Sequence, residues 1–78
     1  MFYIYILRLC DGSYYKGQTQ NIDNRLKEHY SGNVKTTKNK FPFKIVHVEL
    51  CESRKNSRKL KKYFKSGYGR EIIHELDS

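Results

Sequence analysis

Seventy-eight residues allow one domain with a small core, and so a modest stability margin. Sixteen Lys and Arg against eight Asp and Glu leave a net charge of +8, an excess that folding does not require and that implies an anionic partner, nucleic acid first. No long apolar face opposes the basic residues, which argues against a membrane surface, and Cys10 and Cys51 are too few for a disulfide scaffold or a zinc site.

In chain order, Phe2 to Leu9 is rich in Tyr and Ile and reads as a strand, with Phe2, Ile4 and Ile6 on one face and Tyr3, Tyr5 and Leu7 on the other. Asp11-Gly12 signals a turn, and Ser13 to Thr19 reads as a second strand completing a hairpin. Asn21 caps a predicted helix to about Tyr30, with Ile22, Leu26 and Tyr30 as its apolar stripe and Arg25 and His29 together on a second face. Gly32 ends that helix. Residues 33 to 41 are polar, basic and without periodicity, and read as a loop closed by Phe41-Pro42-Phe43.

Lys44 to Leu50 alternates as a third strand, with Val46, Val48 and Leu50 expected on one face and Ile45, His47 and Glu49 on the other. Residues 54 to 66 form a very basic predicted helix with Ser57, Leu60, Tyr63 and Phe64 toward the core. Gly67, Tyr68 and Gly69 are expected to break it, leaving a short final helix from Arg70 to Leu76 with Ile72, Ile73 and Leu76 inward. The order β-β-α-β-α-α predicts an α+β domain over residues 1 to 78, a small three-stranded antiparallel sheet flanked by helices. The apolar run Met1 to Leu7 lacks a preceding basic segment and meets Arg8 at once, so no signal peptide is expected, and nothing approaches transmembrane length. The expected location is the cytoplasm, with both thiols reduced.

Between residues 35 and 70 lie 12 of the 16 basic residues, against only Glu49 and Glu52. Either this is a solvated helix face or it is a nucleic-acid footprint. Seven Tyr and four Phe favour the second, because rings can stack on bases.

Several short motifs then fall into register. Tyr3-Ile4-Tyr5 and Tyr15-Lys16-Gly17 are followed by Arg25, with steps of ten residues from Tyr5 to Tyr15 and from Tyr15 to Arg25. His29, Gly32, Thr37-Lys38, Pro42 and the run Lys65-Ser66-Gly67-Tyr68-Gly69-Arg70 continue the pattern. In this order the set resembles the GIY-YIG nuclease family, closest to its small stand-alone bacterial members, over almost the whole chain. The resemblance implies a phosphodiesterase dependent on Mg²⁺ or Mn²⁺, acting on nucleic acid, DNA first, with no small-molecule cofactor. It implies that Tyr5 and Tyr15 orient or deprotonate the attacking water, that Arg25 stabilises charge on the phosphate, and that His29 assists as base or phosphate ligand. Lys38, Lys61, Lys62, Lys65 and Arg70 are the expected contacts to the nucleic-acid backbone. Such cleavage needs an activated water and a cation on the non-bridging oxygens. A tyrosine with a pKa near 10 is a poor base at neutral pH, and a metal and Arg25 nearby are expected to lower it.

One departure bears on catalysis. The family places its metal-binding glutamate on the second long helix, and alignment on the Lys-Ser-Gly-Tyr-Gly-Arg end puts Lys61 there. No Asp or Glu occurs between Glu52 and Glu71. Two unit charges about 4 Å apart at an effective dielectric near 20 interact by roughly 4 kcal/mol, which is about the whole free energy of a millimolar site. Lys61 therefore opposes a divalent ion at the usual position, and Glu49 or Glu52 is left as a displaced ligand without a spacing argument. The readings that follow are an endonuclease with an impaired or displaced metal site, a nucleic-acid-binding domain that does not cut, and a basic RNA-associated protein without the site.

The hairpin carries a geometric expectation. Tyr5 and Tyr15 share a face only if paired residue numbers sum to 22, which requires a three-residue loop Cys10-Asp11-Gly12 with Gly12 at positive φ. Tyr5, Tyr15, Arg25 and His29 are then expected on one concave surface, with Lys61 at its edge.

Overall fold

The computed structural model describes residues 1–78. Strands β1 (Phe2–Arg8) and β2 (Tyr14–Thr19) form the hairpin, followed by helix α1 (Ile22–Tyr30), strand β3 (Lys44–Cys51) and helices α2 (Arg54–Lys65) and α3 (Gly67–Leu76). The sheet is antiparallel throughout, in the order β2-β1-β3. The α+β reading and the element order hold.

Tyr3 pairs with Thr19 and Leu7 with Tyr15, the register whose numbers sum to 22. The loop closes as expected: Leu9 N–H donates to the Ser13 carbonyl at 2.8 Å, and Gly12 has φ +87°. The Asp11 carboxylate accepts from both the backbone N–H and the hydroxyl of Ser13. Those two bonds shape the turn and hold Asp11 at about pKa 2.

Central β1 is buried on both faces. On one face Ile4, Ile6, Cys51, Phe64 and Ile73 form the larger core under α2 and α3, and on the other Tyr5, Leu7 and Leu9 pack with Ile22 and Leu26 of α1 and with Phe43. The Asn21 cap is present, its side chain accepting from the N–H of Asn24 at 3.0 Å.

Four expectations are corrected. The alternation along β3 breaks because Ile6 pairs with His47 but Leu7 with Ile45, which leaves Val46 as a bulge residue. Val46 therefore packs on the larger core, while Ile45 shares the Leu7 face. The apolar stripe of α1 stops at Leu26; Tyr30 is exposed and stacks with Phe41 and Phe43 instead. Tyr63, Ile72 and Leu76 are half-exposed, and of the apolar side chains expected inward on α3 only Ile73 is fully buried.

The glycine run does not break the helix either. Ser66 alone does, with ψ 168°, and its hydroxyl caps α3 by accepting from the N–H of Gly69. Gly67, Tyr68 and Gly69 are the first turn of α3. A Cβ at Gly69 would collide with the Tyr63 carbonyl and Phe64 Cα, so glycine here sets how closely α3 approaches α2.

Candidate phosphate-binding site

Tyr5 lies on the middle strand, facing α1. Its register partner is Gly17, and a Cβ there would overlap the Tyr5 ring, so Gly17 leaves the space in which the phenol lies. His29 sits one turn past Arg25, which brings both side chains over that phenol. Tyr5 Oη is 2.8 Å from His29 Nε2 and accepts from Arg25 Nε–H at 3.3 Å. His29 Nδ1 is 2.8 Å from Thr37 Oγ1, and Arg25 Nη1 donates to Glu28 at 3.0 Å. The Tyr15 ring stands 4.9 Å from that of His29 and 6.0 Å from that of Tyr5. Tyr5, Tyr15, Arg25 and His29 are thus brought together.

They are not equivalent. Tyr5 and His29 are 0% and 1% exposed, so neither surface is open to a macromolecule. Burial drives the Tyr5 phenol up to about 12, although the hydrogen bond and charge of Arg25 pull the other way. The expectation that Arg25 would lower it is corrected: desolvation of the phenolate outweighs the single cation. His29 is held below its ordinary value by burial and then by Arg25, and so stays neutral near pH 7.

Tyr15 and Arg25 are the members that reach outward. Tyr15 lines an open cleft of about 470 Å³ with Lys16, Thr36, Lys61, Lys65 and Arg70. The cleft wraps the free edge of β2: Tyr15 faces α1, whereas Lys16 is paired with Ile6 of the larger core and so faces α2 and α3. Lys61 and Lys65 also line the adjoining groove with Gln18, Arg58 and Lys62. The two clefts make one basic surface, in which burial, Arg70 and Lys65 all depress the Lys16 ammonium. Lys38 is exposed on the 33–41 segment and lines neither cleft.

The donor set does not fit a divalent metal ion. Four cations and no carboxylate line the Tyr15 cleft. Glu28 is committed to Arg25, and Glu49 and Glu52 border a different groove beside Lys59 and Tyr63. No three His, Cys, Asp or Glu side chains cluster as ligands. Mg²⁺ and Mn²⁺ are held through one or two carboxylates completed by water and phosphate oxygens, and neither Glu49 nor Glu52 lines this cleft as a displaced ligand.

Sequence reasoning assigns no role to Thr37 or Lys16. Thr37 lies in an aperiodic polar segment, and only the fold buries it against His29. Lys16 alternates away from Tyr15 along the strand, and only the exposed sheet edge lets both line one cleft. No helix is long and apolar enough to cross a membrane.

A three-stranded sheet carrying two tyrosines, an arginine and a histidine in this arrangement defines a small nuclease-type domain. The GIY-YIG catalytic domain matches residues 1–72, and the chain belongs to that family. Among its relatives, a UPF0213 protein of Syntrophus aciditrophicus is 47% identical over 53 residues, 65% of this chain and 61% of that protein. The match therefore spans less than two thirds of that relative's length. A UPF0213 protein of Clostridium perfringens is 36% identical over 83% of this chain and 71% of its own. The solution NMR structure of a UPF0213 protein from Bacillus halodurans aligns over 97% of this chain and 85% of that one, with a TM-score of 0.61 and 34% identity.

Proposed function

We propose that this chain grips the phosphate backbone of nucleic acid, DNA first, in the cleft around the β2 edge, and that the grip does not depend on a divalent ion. The observation that carries this reading is the convergence of Lys16, Lys61, Lys65 and Arg70 on Tyr15 with no carboxylate among them. Lys61 occupies the position from which the family donates its metal ligand, and its ammonium supplies fixed positive charge to a phosphodiester instead. Lys is a strongly hydrated point charge suited to this. Arg25, held by Tyr5 and Glu28 beside Tyr15, adds a further cation on the α1 side.

On this reading Tyr15 meets the phosphate while Tyr5 and His29 hold the arrangement from behind. Binding survives and metal-assisted hydrolysis is weak or lost. The Tyr5–His29–Arg25 contacts favour one further reading, a slow endonuclease using a metal ligand supplied by its substrate.

Binding of short single-stranded and duplex DNA and RNA, with EDTA or with Mg²⁺, tests the first reading alongside a nicking assay. Affinity is expected to be unchanged by EDTA, with little or no cleavage. Lys61→Glu is expected to weaken metal-free binding and to create or raise metal-dependent nicking. Efficient wild-type nicking that Lys61→Glu abolishes would overturn the proposal.

A further inference from the structure

Thr37 is fully buried, although the segment around it is polar and mostly exposed. Its hydroxyl lies between two partners, His29 Nδ1 at 2.8 Å and the Val34 carbonyl at 3.5 Å. Hydrogen-bond accounting along the site then has a direction. The Arg25 guanidinium only donates, so Tyr5 Oη accepts from it. The one Tyr5 proton points at the nearest remaining acceptor, His29 Nε2 at 2.8 Å, and that nitrogen then carries none. A neutral ring with bare Nε2 carries its proton on Nδ1 and donates to Thr37 Oγ1, and the Thr37 hydroxyl passes its own proton to the Val34 carbonyl. Every donor has one acceptor, and the chain runs from the part-exposed Arg25 to backbone in the interior.

We propose that Thr37 is a positioning residue: it holds His29 as the Nδ1–H tautomer, and through His29 and Tyr5 it fixes the orientation of Arg25. The reverse tautomer would donate from Nε2 to Tyr5 Oη, compete there with Arg25, take away the acceptor of the Tyr5 proton, and turn the Thr37 hydroxyl from the Val34 carbonyl toward Nδ1. Charged and titratable groups near the ring are Arg25 and Glu28 on α1, Tyr5 on β1 and Tyr15 on β2, and Arg25 opposes a second positive charge beside it. The inference is independent of whether the cleft binds nucleic acid, because it concerns protons inside the folded chain.

Nitrogen-15 NMR of the histidine rings reads the tautomer directly, and solvent exchange of the Arg25 Nε–H reads the far end of the chain. Wild type is expected to show a protonated Nδ1 and bare Nε2 for His29, with a protected Arg25 Nε–H. Thr37→Ser, which keeps the hydroxyl, is expected to retain both signatures. Thr37→Val is expected to shift the tautomer ratio about tenfold toward Nε2–H, the ratio that one hydrogen bond sets, and to speed Arg25 exchange. If Thr37→Val does not fold, slow exchange of the wild-type Thr37 hydroxyl proton, together with the Nδ1–H pattern, supports the assignment. A wild-type Nε2–H ring, or a folded Thr37→Val with an unchanged tautomer, overturns it. Equal loss of thermal stability in both variants with the tautomer intact assigns Thr37 a purely structural role.

Discussion

At Gly17 there is no room for a side chain, because the Tyr5 ring already fills the space above it. Gly17→Ala is therefore expected to destabilise by about 1–3 kcal/mol, the usual cost of overpacking, and to displace the phenol from His29; denaturant titration and the His29 ring shifts measure both. The two tyrosines separate in the same way. Tyr5→Phe leaves the Arg25 Nε–H and a buried imidazole nitrogen without their partner, an expected loss of about 1–3 kcal/mol. Tyr15→Phe is expected to leave stability nearly unchanged and to weaken ligand binding. Comparable loss of stability in both variants would contradict the division between a buried support and a surface contact. Protonation follows the same geometry. Tyr5 has its pKa raised to about 12, so the folded state is favoured below about pH 10 and loses stability as pH rises from there through 12. His29 has its pKa lowered, so stability is lost as pH falls below about 6.5. This lies well above the range in which Asp11 and Asp77, both lowered, take up protons. A stability profile from pH 8 to 5 that is flat in wild type, or equally steep in His29→Gln, would be inconsistent with the buried neutral ring.

Among the elements, the junction of α2 and α3 departs most from expectation. Ser66 ends one helix and caps the next, and Gly69 lets the two backbones touch. Gly69→Ala is a good helical substitution by propensity, yet it is expected to destabilise, because the new methyl meets the Tyr63 carbonyl. Thermal melts decide between the two effects: a rise in Tm would mean that local propensity outweighs the contact. Because Lys65 precedes this junction and Arg70 follows it, loosening it is also expected to weaken binding. In β3 the bulge at Val46 does comparable work, since it lets one strand feed the larger core through Val46 while Ile45 stays on the Leu7 face.

Across the whole molecule, the C-terminus is clasped to all three strands. The Asp77 side chain is 4% exposed and accepts from Arg8 of β1 at 3.1 Å and from Tyr14 of β2 at 2.9 Å, and Lys44 of β3 lies 2.9 Å from its other oxygen. These partners, Lys44 and Tyr14 foremost, hold the carboxyl below its usual range. Asp77→Asn is expected to lower Tm and to speed hydrogen exchange in α3 before the rest of the chain; uniform exchange would show that the clasp does not govern the helix. The net charge of +8 predicts binding that weakens steeply with salt through counterion release. Position matters more than total charge. Lys65→Ala is expected to reduce the slope of log K against log salt by about one, as for a lost phosphate contact. Lys38→Ala, outside both clefts, is expected to leave it unchanged, and equal effects would place the ligand elsewhere.

Local chemistry was enough to determine much of this protein. Alternation set the faces of β1, the placement of Gly12 set the hairpin register, Asn21 set the start of α1, and a four-residue step put Arg25 above His29. Each depends on residues close together in the chain, where the backbone leaves few choices. The absence of a carboxylate from α2 was equally legible, because composition needs no fold. Only the tertiary structure decided the rest. The bulge at Val46 depends on which neighbour β3 meets, and the helical first turn at Gly67 depends on α3 packing against α2. The burial that raises Tyr5, the fixing of Thr37 behind His29, and the meeting of Tyr15 and Lys16 at one cleft all arise from segments distant in sequence closing around the sheet. Desolvation and hydrogen-bond direction are properties of that enclosure, and no spacing along the chain encodes them.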